Sequence, residues 1–181
     1  MFLAKNETFS LRVYAVEKES PYSADGIAME TSPRTEIYLT APSGDRECSI
    51  SFLINGTTYE GDMSFDNVKS EYYFSRVLDI SALQEIPFTI QYGDTTLQLN
   101  ALSVLDKDTL SAEEILQRVQ VSESELFTSL TEKHGFCGEI YLRLLYEDAP
   151  YYYVGIIDRN ENVTAFLLNA KTGKILAKRT P

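Results

Sequence analysis

The only histidine of the chain, His134, lies three residues before one of its two cysteines, Cys137. A thiol becomes a good nucleophile when an adjacent base accepts its proton, so this pair could serve a Cys–His enzyme. Residues three apart in a loop have no assured contact, however, and a histidine followed by Gly135 is also a common way to end a helix. We therefore favour the structural explanation and keep the pair as an alternative catalytic site.

Other catalytic and metal-binding chemistry finds little support in the sequence. A zinc site normally takes four ligands, of which the His134–Cys137 pair supplies two. Asp158, Asn160 and Asn162 match the start of a calcium-binding loop, but the glycine and the bidentate glutamate that such a loop needs are missing. The sequence also has no nucleophile elbow, phosphate-binding loop or dinucleotide fingerprint. We predict no catalytic residue, no metal and no cofactor.

Three consecutive tyrosines, Tyr151, Tyr152 and Tyr153, form a second candidate site. Side chains alternate between the two faces along a strand, so at least one of these rings is expected to point outward. A tyrosine combines a flat apolar ring with a polar hydroxyl, which suits contact with a peptide or a glycan and suits a contact between two parts of one chain equally well. We predict a possible binding surface at these tyrosines.

The formal net charge of −11 restricts the classes of partner. An acidic surface repels the phosphate backbone of nucleic acids, so we expect no nucleic-acid binding. A protein or peptide partner is compatible with this charge, and the sequence leaves the oligomeric state open. No stretch approaches the roughly 20 apolar residues of a membrane helix, which predicts that the chain has no transmembrane segment.

The N-terminus and the cysteines bear on the cellular compartment. Only three apolar residues follow Met1, far short of the apolar core of a signal peptide. We expect a cytoplasmic protein if Met1 is the native start, and an extracytoplasmic one if a leader has been removed. Cys48 and Cys137 are far apart in sequence and belong to no repeating pattern. We predict free buried thiols, with one disulfide between the two parts of the chain as the alternative.

The first hundred residues have the pattern of short strands between turns. Residues 20–34 contain two prolines and a glycine, and we predict a loop there. The dipeptide Asn55-Gly56, between two alternating segments, predicts a hairpin with a type I′ turn. About seven strands with regularly spaced turns predict an antiparallel β-sandwich of immunoglobulin-like type over residues 1–105.

The pattern changes after residue 105. Ser111 followed by Glu114 predicts a capping box, in which each residue hydrogen-bonds the other's backbone at a helix start, and Ser122 with Glu125 repeats the spacing. We therefore expect two short helices, the second ending at His134-Gly135.

Alternating apolar residues from Glu139 onward predict a four-stranded antiparallel meander. The predicted fold class is thus β-rich and α+β overall. It consists of a β-sandwich domain at residues 1–105, followed by an α+β domain with two short helices and the meander at residues 106–181.

The last strands resemble the end of a PepSY domain. Tyr153 to Asp158, then a polar turn, then the stretch from Thr164 to Leu176 with its Thr-Gly turn carry the likeness. PepSY domains place a helix before a small antiparallel sheet, and this chain departs from their usual pattern at Asn169, where they have aspartate. The resemblance implies a non-catalytic accessory or inhibitory module, often located outside the cytoplasm.

Three functional hypotheses follow from the sequence. The leading one is a non-enzymatic binding or accessory protein that acts through an outward β surface or through the groove between the two parts. One alternative is an enzyme that uses the Cys/His pair near His134. The other is a structural, oligomer-forming protein whose edge strands pair across a two-fold axis.

Overall fold

A computed structural model describes residues 1–19 and 29–181, in which the chain folds into two compact units. The first unit contains Met1–Lys18 and Thr31–Val104, and the second is built mainly on Leu105–Pro181. The fold is β-rich with two short helices, so the predicted fold class is confirmed.

The first unit is a single antiparallel sheet of nine strands. Along the sheet they follow the order β5-β4-β8-β9-β1-β2-β3-β7-β6. Their bounds are β1 (Phe2–Lys5), β2 (Ser10–Glu19), β3 (Thr31–Thr40), β4 (Cys48–Ile54), β5 (Thr57–Asp62), β6 (Ser64–Asp66), β7 (Glu71–Arg76), β8 (Glu85–Tyr92) and β9 (Thr95–Ser103).

One bent strand brings the two ends of this sheet together. Strands β5 and β6 stand at opposite ends of the sheet order, yet only Met63 separates them in sequence. The first half pairs with β4 and the second half with β7, and the Met63 N–H donates to the Cys48 carbonyl oxygen at 2.8 Å. The predicted antiparallel sandwich therefore takes the form of one curved sheet that is nearly closed.

The core of the first unit lies inside this curved sheet. Every second residue of β8 is buried and the residues between them are exposed, the alternation expected of a strand with one inward face. The buried tyrosine hydroxyls are satisfied, since Tyr72 donates to the Arg46 carbonyl oxygen at 2.7 Å and Tyr92 to that of Ser43 at 2.9 Å. The interior is thus filled by apolar and aromatic side chains.

Of the two turn and loop predictions for the first unit, one is confirmed and the other is wrong at its end. Asn55 and Gly56 have φ angles of 50° and 80°, so the predicted hairpin turn between β4 and β5 is confirmed. The loop predicted at residues 20–34 is wrong at its end, because β3 already begins at Thr31, and residues 20–28 lie outside the described part of the chain. Pro33 lies before residues 35–39, the part of β3 that pairs with β7.

The second unit has the predicted helices and meander. Its elements are α1 (Ala112–Ser122), α2 (Ser124–Ser129), a small hairpin of β10 (Thr131–Glu132) and β11 (Gly135–Phe136), and the sheet strands β12 (Glu139–Tyr146), β13 (Pro150–Ile157), β14 (Val163–Asn169) and β15 (Ile175–Arg179). The four sheet strands pair in sequence order. None of the helices in the described ranges is long and apolar enough to cross a membrane.

The end of the second helix differs from the sequence prediction. Helix α2 stops at Ser129 rather than at His134-Gly135, and Leu130 is its C-cap. Hydroxyl groups favour the early end, because the Thr128 hydroxyl donates to the Ser124 carbonyl oxygen and the Ser129 hydroxyl to that of Leu126. Both bonds compete with the backbone bonds of the helix. The Phe136 ring then stacks on the Phe127 ring at 5.6 Å and holds the returning chain.

The two predicted capping boxes also differ in outcome. At the start of α1 the Ser111 hydroxyl accepts from the Glu114 N–H at 3.1 Å, and the Glu114 carboxylate accepts from the Ser111 N–H at 2.8 Å. The second box is wrong, since the Ser122 hydroxyl bonds back to the Val119 carbonyl oxygen at 3.2 Å and α2 has no side-chain cap.

Candidate functional site

The structure places His134 and Cys137 in very different surroundings. His134 is exposed in the turn between β10 and β11, and Cys137 is buried with 5% of its surface exposed. The thiol of Cys137 donates to the Gly135 carbonyl oxygen at 3.4 Å, and the Cys137 N–H donates to the Leu130 carbonyl oxygen. The thiol's hydrogen-bond partner is therefore a backbone carbonyl oxygen. Cys48 and Cys137 are both free and buried, as predicted.

The aspartate of the calcium-like segment closes a turn. Oδ1 of Asp158 accepts from the backbone N–H groups of Asn160 and Asn162 at 2.8 and 2.9 Å, and Oδ2 accepts from the side-chain amide of Asn162 at 2.9 Å. These bonds, that from the Asn162 side chain foremost, lower the pKa of Asp158. Within residues 1–19 and 29–181, no group of three or more His, Cys, Asp or Glu side chains could hold a metal ion.

The three consecutive tyrosines do not share one face of their strand. Tyr152 is buried, and its hydroxyl donates to the Leu110 carbonyl oxygen at 3.0 Å. Tyr151 and Tyr153 are half-buried on the opposite face of β13. There the Tyr153 ring extends over Gly155 and meets the ring of Tyr141 edge-on, with centroids 6.1 Å apart. Only Tyr151 and Tyr153 of the predicted set can therefore belong to one surface.

A continuous row of tyrosine rings lies on the outer face of the first unit. Tyr38 stands between the fully buried Ile37 and Leu39, so its ring points away from the core. Tyr73 is directly opposite Tyr38 in the β3–β7 register, with ring centroids 5.1 Å apart. The ring of Tyr14 on β2 meets Tyr38 edge-on at 5.8 Å and is itself buried, with 8% of its surface exposed. We call Tyr14, Tyr38 and Tyr73 the tyrosine row.

Charged groups surround the tyrosine row and are held in place by hydrogen bonds. The carboxylate of Glu36 accepts from the Lys18 ammonium at 2.7 Å and from the Tyr38 hydroxyl at 3.0 Å. Burial of this carboxylate would raise the pKa of Glu36, but the bonds from Lys18 and Tyr38 outweigh it and the pKa is lowered. Arg12 forms an ion pair with Glu71 beside the row. Hydrogen bonds and ion pairs between neighbouring strands therefore hold the surroundings of the tyrosine row in place.

A groove of about 230 Å³ opens beside the two adjacent rings of the row. The Lys69 ammonium lies over the Tyr38 ring, 5.7 Å from its centroid, so one rim of the groove carries a cation. The groove combines three aromatic side chains with acids, a base and hydroxyl groups. It is lined by Tyr38, Ser64, Phe65, Asp66, Lys69, Glu71 and Tyr73. We call it the tyrosine groove.

A second, larger groove of about 470 Å³ lies along β4, β8 and β9 of the same sheet. All of its lining side chains are uncharged, among them Ser51, Thr89 and Gln98. Such a surface can exchange hydrogen bonds with a ligand, but it offers no titratable group and no outward aromatic ring. The tyrosine groove is chemically the richer of the two.

Sequence reasoning missed the tyrosine row. Its members lie on three strands that are distant in sequence, and the β3–β7 register brings two of them together. One local signal existed, because Tyr38 and Tyr73 each stand between two buried residues in an alternating strand, which predicts an outward ring. No family model matches the chain, and neither does any curated protein or any solved structure.

Proposed function

We propose that this protein is a non-enzymatic binding protein that captures a protein or peptide partner through the tyrosine row and the tyrosine groove. The observation that carries the proposal is the contact of the half-buried Tyr38 and Tyr73 rings on an outward sheet face, with centroids 5.1 Å apart. The buried Tyr14 ring supports them from β2, with its centroid 5.8 Å from that of Tyr38. Aromatic side chains in this arrangement offer a large rigid contact area at a small cost in conformational entropy.

The residue types around the row support protein recognition. Tyrosine and arginine are enriched in protein–protein interfaces and dominate their binding energy. Here Arg12 and Arg34 lie near the tyrosines, the former paired with Glu71 and the latter donating to the Ser75 hydroxyl at 3.5 Å. A groove of about 230 Å³ has room for one large side chain of a partner rather than for a whole small molecule.

The resemblance of the last strands to a PepSY domain suggests an accessory role, and we include this role in the proposal. In the second unit two helices precede a four-stranded meander, and the turn before β15 is closed by Asn169, whose side chain accepts from the N–H groups of Lys171 and Thr172. The alternative of a Cys/His enzyme has less support, because the thiol of Cys137 is bonded to a carbonyl oxygen.

The proposal is tested with peptides selected from a phage-displayed library against the whole chain. Calorimetry then gives the affinity of the strongest peptide for the wild type and for Tyr73→Ala. We expect the substitution to weaken binding at least about 30-fold, because truncation of a central interface residue costs about 2 kcal/mol or more.

The matched control is Tyr146→Ala, which removes an exposed tyrosine from the second unit. We expect this control to leave the affinity within about a factor of two, since Tyr146 belongs neither to the tyrosine row nor to the lining of the tyrosine groove. Thermal melting confirms that both variants are folded. Selected peptides that bind Tyr73→Ala as tightly as the wild type would contradict the proposal.

A further inference from the structure

In the described part of the chain, the edges of the two larger sheets differ in how they are protected. An open edge exposes unpaired backbone groups to other chains, and proteins usually shorten, charge or bend such edges. The nine-stranded sheet is nearly closed because β5 runs directly into β6. In the four-stranded sheet, the edge strand β15 is five residues long, ends in Lys178 and Arg179, and pairs with β14 through an irregular register at Leu167/Leu168.

The other edge of that sheet, β12, is neither short nor irregular. It is eight residues long, its register with β13 is unbroken from end to end, and that is its one pairing within the described part of the chain. Three of its large side chains are exposed, with 38% of the surface of Ile140, 49% of Tyr141 and 40% of Tyr146 accessible. A long and regular edge with exposed apolar side chains is a template for another strand.

We propose that β12 is a dimerisation edge, at which a second copy of this chain adds its own β12 in antiparallel orientation around Tyr141. The two sheets then join into one sheet of eight strands across a two-fold axis normal to the sheet. In this register Tyr141 faces its own copy, each Ile140 faces the other copy's Leu142, and each Glu139 faces the other copy's Arg143.

Charge complementarity selects this register. Glu139, Tyr141 and Arg143 lie on one face of the strand, so the two-fold axis creates two Glu–Arg pairs on either side of a tyrosine pair. The guanidinium has five N–H donors and can add this carboxylate to its other contacts. If the axis lay at Leu142, Glu139 would face Leu145, and if it lay at Arg143, two arginines would face each other.

The same reasoning explains why β15 is not proposed. Lys178 and Arg179 follow each other at its end, and the segment from Val163 onward contains four basic residues and no acid. Strand β15 contains no acidic residue, so no register between two copies of it would gain a cross-strand ion pair. The dimer is a property of the second unit alone and does not depend on partner binding at the tyrosine row.

The experiment is sedimentation equilibrium of the full chain over a range of concentrations. We expect the wild type to dimerise reversibly and Arg143→Glu to dimerise at least about tenfold more weakly, because two carboxylate pairs would replace two ion pairs. The double variant Glu139→Arg/Arg143→Glu exchanges the charges and is expected to restore the dimer. Circular dichroism checks that each variant is folded.

Arg179→Glu is the matched control, since it changes the net charge by the same amount at the opposite edge of the same sheet. We expect it to leave the dimer constant unchanged within about twofold. A wild type that is monomeric at every concentration would overturn the proposal. So would a control as damaging as Arg143→Glu, or a charge exchange that fails to restore dimerisation.

Discussion

The thiol of Cys48 shows how burial of one residue makes stability depend on pH. Its Sγ lies 3.7 Å from the Met63 sulfur, and 4% of its surface is exposed. Burial disfavours the thiolate and raises the pKa of Cys48 from 9.0 to about 11. Below pH 9 the Cys48 thiol is protonated in both the folded and the unfolded chain. Between these two values the unfolded chain loses the proton while the folded chain keeps it, so the stability falls as the pH rises.

We therefore predict a steeper loss of stability with pH in the wild type than in Cys48→Ala. Urea unfolding measured from pH 8 to pH 11 gives the free energy of unfolding of both proteins at each pH. The difference between the two curves should decline above about pH 9, by at most about 1.4 kcal/mol per pH unit. A constant difference across this range would show that Cys48 is not the group responsible.

At the scale of the elements, the two serines that precede α1 and α2 make a matched pair. Ser111 caps α1 by accepting from the Glu114 N–H, whereas Ser122 bonds to a carbonyl oxygen within α1 and caps nothing. We predict that Ser111→Ala lowers the free energy of unfolding by about 1 kcal/mol and that Ser122→Ala changes it by less than about half of that. Chemical denaturation measures both, and equal effects would contradict the capping assignment.

The sequence predicted correctly those turns and helix ends that depend on a few neighbouring residues. The Asn55-Gly56 turn and the Ser111 capping box depend on a few neighbouring residues, and both have the predicted form. The strands β1 and β6 were not predicted, since four and three residues are too few to show an alternation. The end of α2 was misplaced because hydroxyl groups near Ser129 compete for the helix carbonyls, an effect that the His134-Gly135 dipeptide does not reveal.

At the scale of the whole molecule, the long-range pairing of strands closes the nine-stranded sheet and brings the tyrosines of the row together. The Asn55-Gly56 turn predicts the pairing of β5 with β4, but the sequence of the bent strand does not reveal the pairing of β6 with β7, which closes the first unit. The same long-range register assembles the tyrosine row from β2, β3 and β7. The sequence predicted a binding surface at the consecutive tyrosines 151–153. Side chains alternate between the two faces of β13, however, and Tyr152 lies on the buried face.

The most direct test of the proposed function maps the binding surface by nuclear magnetic resonance. Amide shifts of the isotope-labelled chain are followed while a library-selected peptide is added. We predict that the largest shifts occur on β2, β3 and β7 around Tyr14, Tyr38 and Tyr73. Shifts confined to the second unit, around Tyr151 and Tyr153, would contradict the account and return the binding surface to the tyrosines that the sequence first indicated.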